Sequence, residues 1–206
     1  MSKEKEEALR QINEIKNHLV DKQTFFPYDF RATYIWSIIA IIMTLFMVPV
    51  YEMSVLEGAI ISCVLIGIGF LIEGSMIQKV NESYDIEEST HKQQFIMKSF
   101  VIISFFMIVL SSIFASYKLY VPMLLTWLFI VSLGYFFVGF LLNIQSFSQM
   151  ASFNMVISIV LLIIGYINND IEGVSGIYLN IVQFFLILGL SIIPAFIGWK
   201  QIKEEK

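Results

Sequence analysis

The chain has 206 residues, 57% of them hydrophobic, and a mean hydropathy of +0.77. A water-soluble domain of this size cannot bury that much apolar surface, so long hydrocarbon-facing segments are expected. The net charge of −4 includes no dense Lys/Arg tract, which argues against nucleic-acid binding, and the single Cys63 excludes an intrachain disulfide or a cysteine-based zinc cluster.

The N-terminal stretch "MSKEKEEALRQINEIKNHLVDK" is charged and lacks the early apolar core of a cleavable signal, so the first hydrophobic helix is expected to be an uncleaved anchor. Residues 3–22 read as an amphipathic helix with Ala8, Ile12, Ile15 and Leu19 along one face. Its stripe carries no aromatic residue and its charges are mixed in sign. A packing face is therefore preferred to a membrane-surface helix, for a second copy, the chain's own inner loop or a cytoplasmic protein partner. In "FFPYDF", Phe25, Phe26, Tyr28 and Phe30 read as an interfacial anchor, with Pro27 breaking the helix and Asp29 placed to cap the first span. Residues 1–31 thus form an N-terminal cytoplasmic region.

Six runs are long enough to cross about 30 Å of hydrocarbon, at about residues 33–50, 55–77, 95–117, 119–142, 152–167 and 177–199. Each must be a helix, since an isolated strand would leave its backbone unpaired in lipid. The expected fold is an all-α integral membrane bundle of six transmembrane helices, followed by a short tail at 200–206. Every Lys and Arg except Lys118 falls in the N-terminal segment, around the second connection or in the tail. The positive-inside rule then places both termini in the cytoplasm, with the chain in the cytoplasmic (inner) membrane.

The second span contains "GFLIEG" and the fourth "GYFFVG", while the sixth has Gly189 and Pro194 at the same spacing. This reads either as three repeated hairpins or as chance recurrence in a chain rich in Gly and Phe. Close helix approach is expected at Gly69, Gly74, Gly134 and Gly139, and on another face of the second span at Ala59, Cys63 and Gly67. Asp85 followed by Glu88 suggests a cap that starts the third helix before its apolar part.

Glu73, between Gly69 and Gly74, is the unusual residue: a carboxylate about one turn inside the end of a span. Lys98, at similar depth on the next helix, is its expected ion-pair partner. The functional alternative is a proton- or cation-binding carboxylate that Asn154 and Gln149 could join. Pro194 is expected to kink the sixth helix, as a hinge or as the source of a freed carbonyl.

Enzymatic motifs fail on their partners. Ser175 in "GVSG" has no later histidine to take its proton, and no span holds a histidine for haem. Glu14 with His18, and Glu88 with His91, have the spacing of carboxylate–imidazole metal sites. Solvated helix faces are the simpler reading, and neither a metal nor any other cofactor is expected. Beyond the lipid bilayer, the expected partners are a homo-oligomer or a cytoplasmic protein. The favoured function is a non-enzymatic sensing or scaffolding subunit acting through residues 3–22 and 78–94. The alternative is a small transporter or channel for protons, cations or a small solute that uses Glu73.

Overall fold

The computed structural model describes residues 27–84, 90–172 and 176–204. They form six helices: α1 (Ala32–Met53), α2 (Val55–Ser83), α3 (His91–Ser116), α4 (Tyr120–Leu141), α5 (Gln145–Ile167) and α6 (Ile177–Glu204). Each is long and apolar enough to cross a membrane, and no strand occurs among the described residues. Their outward faces carry large apolar side chains such as Leu71, Phe105 and Phe140. Such a surface suits hydrocarbon and would be costly in water. The amphipathic stripe Ala8, Ile12, Ile15 and Leu19, together with Glu14, His18 and Glu88, lies outside the described residues.

Helix bounds depart from the apolar runs where a polar stretch is helical for reasons other than hydropathy. α2 continues to Ser83, beyond the expected 77, because Ile77 and Asn81 are still on its buried face. α5 begins at Gln145, seven residues before the expected 152, since the polar stretch "QSFSQM" carries Phe147 and Met150 into the core. Phe147 stacks on Tyr135 of α4 with ring centroids 5.6 Å apart. α3 starts at His91, and its cap is Thr90 rather than Asp85. Thr90 Oγ accepts from Gln93 N at 3.3 Å, and Gln93 Oε1 accepts from Thr90 N at 2.9 Å. This capping box satisfies two of the orphan donors of the first turn.

The chain runs up and down, each helix packing on the next. α1, α2, α3, α4 and α6 surround a central cavity, with α5 behind α4 and α6. The main core runs through Met47, Met107, Leu124, Leu128 and Val182. A smaller cluster of Phe30, Ile144, Phe147, Met150 and Ile197 packs the segment before α1 against α5 and the last part of α6.

Close approach between helices falls on some of the expected positions. A Cβ on Gly69 would lie 2.7 Å from Ile39 Cδ1, one on Gly134 2.6 Å from a Phe100 ring carbon, and one on Gly139 2.9 Å from Phe147 Cβ. Gly67 and Gly74 face open space, Cys63 is exposed and Ala59 is only partly buried. The buried stripe of α2 is instead Gly58, Ser62, Ile66, Gly69, Ile77 and Asn81. Glu73 stands four residues from Gly69 and from Ile77, so the helical period puts it on this inner face.

α6 contains one π-helical turn, Leu188–Ile192, directly before Pro194. Ile193 N–H bonds to Leu188 O, five residues back. In that register the donor for Gly189 O would be residue 194, which as proline has none. Asn154 Nδ2 from α5 supplies it at 3.1 Å, and Ser37 Oγ from α1 donates to Ser191 O at 2.8 Å. The α5 amide therefore satisfies the carbonyl that an interior free of water would leave orphaned, and the α1 hydroxyl adds a second bond across to this turn.

Candidate binding site around Glu73

The cavity has a volume of about 150 Å³ and reaches from Ile77 and Gln93 inward to Met47 and Leu124. Most of its wall is apolar or aromatic: Trp36, Phe70, Phe100, Trp127 and Tyr135 contribute rings from four helices. Trp36 and Phe70 meet edge to face with centroids 5.1 Å apart. Among the described residues, Glu73 supplies the one carboxylate in the lining, and no Lys, Arg or His lines the space.

Glu73 is held by neutral donors. Trp36 Nε1–H donates to Glu73 Oε2 at 2.9 Å, and the Tyr28 hydroxyl also hydrogen-bonds to the carboxylate. Burial, and then the Glu73 charge beside it, push the Tyr28 phenol well above its ordinary value, so Tyr28 remains a neutral donor at physiological pH. Tyr135 completes the polar patch from α4. A carboxylate accepts about four hydrogen bonds, so two neutral donors leave part of its capacity directed at the cavity.

The expected ion pair is not formed. Lys98 is exposed on the outer side of α3, and no ion pair joins it to Glu73 among the described residues. Position along a helix sets height and says nothing about azimuth, and it is azimuth that turns Lys98 away from Glu73. Asn154 does not join Glu73 either: it is buried between α5 and α6, occupied by the Gly189 carbonyl. Gln149 lies on the same helix, which does not line the cavity. His91 is exposed at the start of α3. Pro194 is fully buried, in a helix whose backbone is widened and braced there.

Of the aromatic residues expected as an interfacial anchor, Phe25 and Phe26 lie outside the described residues, while Tyr28 and Phe30 are packed inside. Tyr28 turns inward to Glu73, and Phe30 is buried against Phe147, Met150 and Ile197. Pro27 O accepts from Gln93 Nε2 at 3.0 Å. The Gln93 and Asn81 amides pair reciprocally, at 2.9 and 3.0 Å. This buried polar network ties the end of α2 and the start of α3 to Pro27, beside Tyr28, which lines the cavity. Outside it, Asp29 binds Arg31 through both the guanidinium, at 2.7–3.0 Å, and the backbone N–H at 2.9 Å. Burial raises the Asp29 carboxyl, but the Arg31 hydrogen bonds and charge outweigh it and hold the group below its ordinary value.

Sequence reasoning found Glu73 but missed Trp36, Tyr28, Tyr135 and the Asn81–Gln93 pair. For Gln93 a signal existed: Thr90-x-x-Gln93 is a capping-box pattern just before an apolar run. Trp36 and Tyr135 sit in runs that are apolar all round, where no periodicity marks the inner face. No family model matches the chain, and no curated protein or solved structure matches it either, so the chemistry of the site rests on its geometry.

Proposed function

We propose that this is an integral membrane protein, a six-helix transmembrane bundle with both termini cytoplasmic. Its function is that of a small transporter or channel for protons, cations or a small solute, with Glu73 as the binding group. One observation carries the reading: a carboxylate without a basic partner among the described residues, aimed into a cavity otherwise lined by apolar and aromatic side chains. Burying a carboxylate costs several kcal/mol, an order-of-magnitude figure, unless something compensates it. A structural role alone would have been served by an uncharged acceptor for Trp36 and Tyr28. A visiting proton or cation gives the charge a purpose. The even number of spans and the clustering of basic residues on one side support the orientation.

The test is flux in proteoliposomes. Uptake of protons and small cations is measured for the wild-type chain, for Glu73→Gln and for a chain lacking residues 1–26. The transport reading expects loss in the first variant and retention in the second. The opposite pattern would sink it in favour of the second reading, a non-enzymatic sensing or scaffolding subunit acting through its cytoplasmic segments. That reading draws support from the Pro27–Gln93–Asn81 network, in which the cavity-lining Gln93 joins residue 27 to the end of α2 and the start of α3.

A further inference from the structure

Resting on the reading of the cavity as a solute site, we infer that its ligand is a small organic ammonium ion with a compact apolar body, about one ring in size. Four features of the wall select that class. First, charge: among the described residues one carboxylate faces the space with no Lys, Arg or His in the lining, so an anion would meet negative charge that none of them compensates. Second, the wall supplies aromatic rings. Trp36, Phe70, Phe100 and Trp127 line the same cavity as the carboxylate, and ring faces attract a desolvated ammonium through their quadrupoles.

Third, the donor set is wrong for a hard metal ion. Ca²⁺ takes roughly six to eight oxygen ligands and Mg²⁺ about six, held in near-octahedral array. Here one carboxylate stands among hydroxyls and an amide that already has partners, and no group of three acidic, His or Cys side chains suited to a metal occurs among the described residues. Fourth is size: an apolar cavity of about 150 Å³ is enough for a benzene-sized guest. The ammonium would sit against the Glu73 acceptor positions that Trp36 and Tyr28 leave open, and its apolar body would point toward Met47 and Leu124.

The experiment measures equilibrium binding of three probes of one shape to the full chain in lipid nanodiscs: benzylammonium, benzyl alcohol and benzoate. Glu73→Gln keeps an acceptor for Trp36, and Val131→Phe fills the cavity from α4 without touching Glu73. Saturable binding of benzylammonium, at least tenfold weaker in Glu73→Gln, abolished in Val131→Phe and not matched by the other probes, is the expected result. Benzyl alcohol binding as tightly as benzylammonium, or indifference to Glu73→Gln, overturns the ammonium class while leaving a solute cavity. If none of the three binds saturably to folded protein, both the class and the solute cavity fall. Binding as expected with no flux in proteoliposomes removes transport alone.

Discussion

Glu73 and Asn154 make an instructive pair: each is a polar side chain inside an apolar helix, and each was a candidate for one ion site. Asn154 is a closed account. Its amide donates to the one carbonyl that Pro194 deprives of a partner, and a Cβ on Gly189 would lie 2.5 Å from its Oδ1, so no space remains. Glu73 is open: two neutral donors hold its carboxylate, and the rest of it faces a cavity. A buried polar group whose partners use up its hydrogen-bonding capacity is structural. One whose partners leave a charge and a space uncompensated has a use for a ligand.

The comparison can be broken most directly at Glu73. Glu73→Gln should reduce cation uptake or ammonium binding at least tenfold while changing unfolding stability by less than about 1 kcal/mol, because the amide oxygen still accepts from Trp36. Loss of fold with loss of activity would make Glu73 structural, like Asn154. Asn154→Ala should do the reverse. Unfolding in detergent should cost about 1–2 kcal/mol, from the orphaned Gly189 carbonyl, with ligand binding retained. A binding defect in folded Asn154→Ala would merge the two sites again.

A smaller effect is expected at Asp29, outside the helices. Its folded-state pKa is held below the unfolded value, so its contribution to stability is complete above the ordinary carboxylate range. That contribution is lost as pH falls through the lower, folded value. Unfolding curves of the wild type should therefore lose a small increment only below about pH 4, and Asp29→Asn should lack that increment. A wild-type difference appearing between pH 5 and 8 would point to another group. The smallest effect belongs to Lys98→Ala, where flux and stability should match the wild type. A loss comparable to that of Glu73→Gln would restore the ion pair that the geometry denies.

The basis of this contrast was half visible in the sequence. A carboxylate in "GFLIEG" is conspicuous because its chemistry is rare in such a run, and Pro194 is conspicuous because it lacks a donor. Their partners were not visible. Trp36 lies 37 residues from Glu73, and Asn154 lies 35 from Gly189. α2 is apolar nearly all round, so nothing local fixes its rotation. The stripe Ala59, Cys63 and Gly67 looked as suitable for packing as the true inner face one residue away, since small residues mark possible approach without choosing a side.

The sequence by itself determined that six helices form and roughly where, because length, hydropathy and backbone hydrogen bonding are properties of each segment alone. It also determined that a carboxylate lies within the second helix. Tertiary structure decided which way that carboxylate points, which neutral donors hold it and that Lys98 does not reach it. It also decided that the proline's missing donor is replaced from another helix. Those outcomes depend on helix rotation and close packing, and when both the core and the outer surface are apolar, local hydropathy carries no information about rotation.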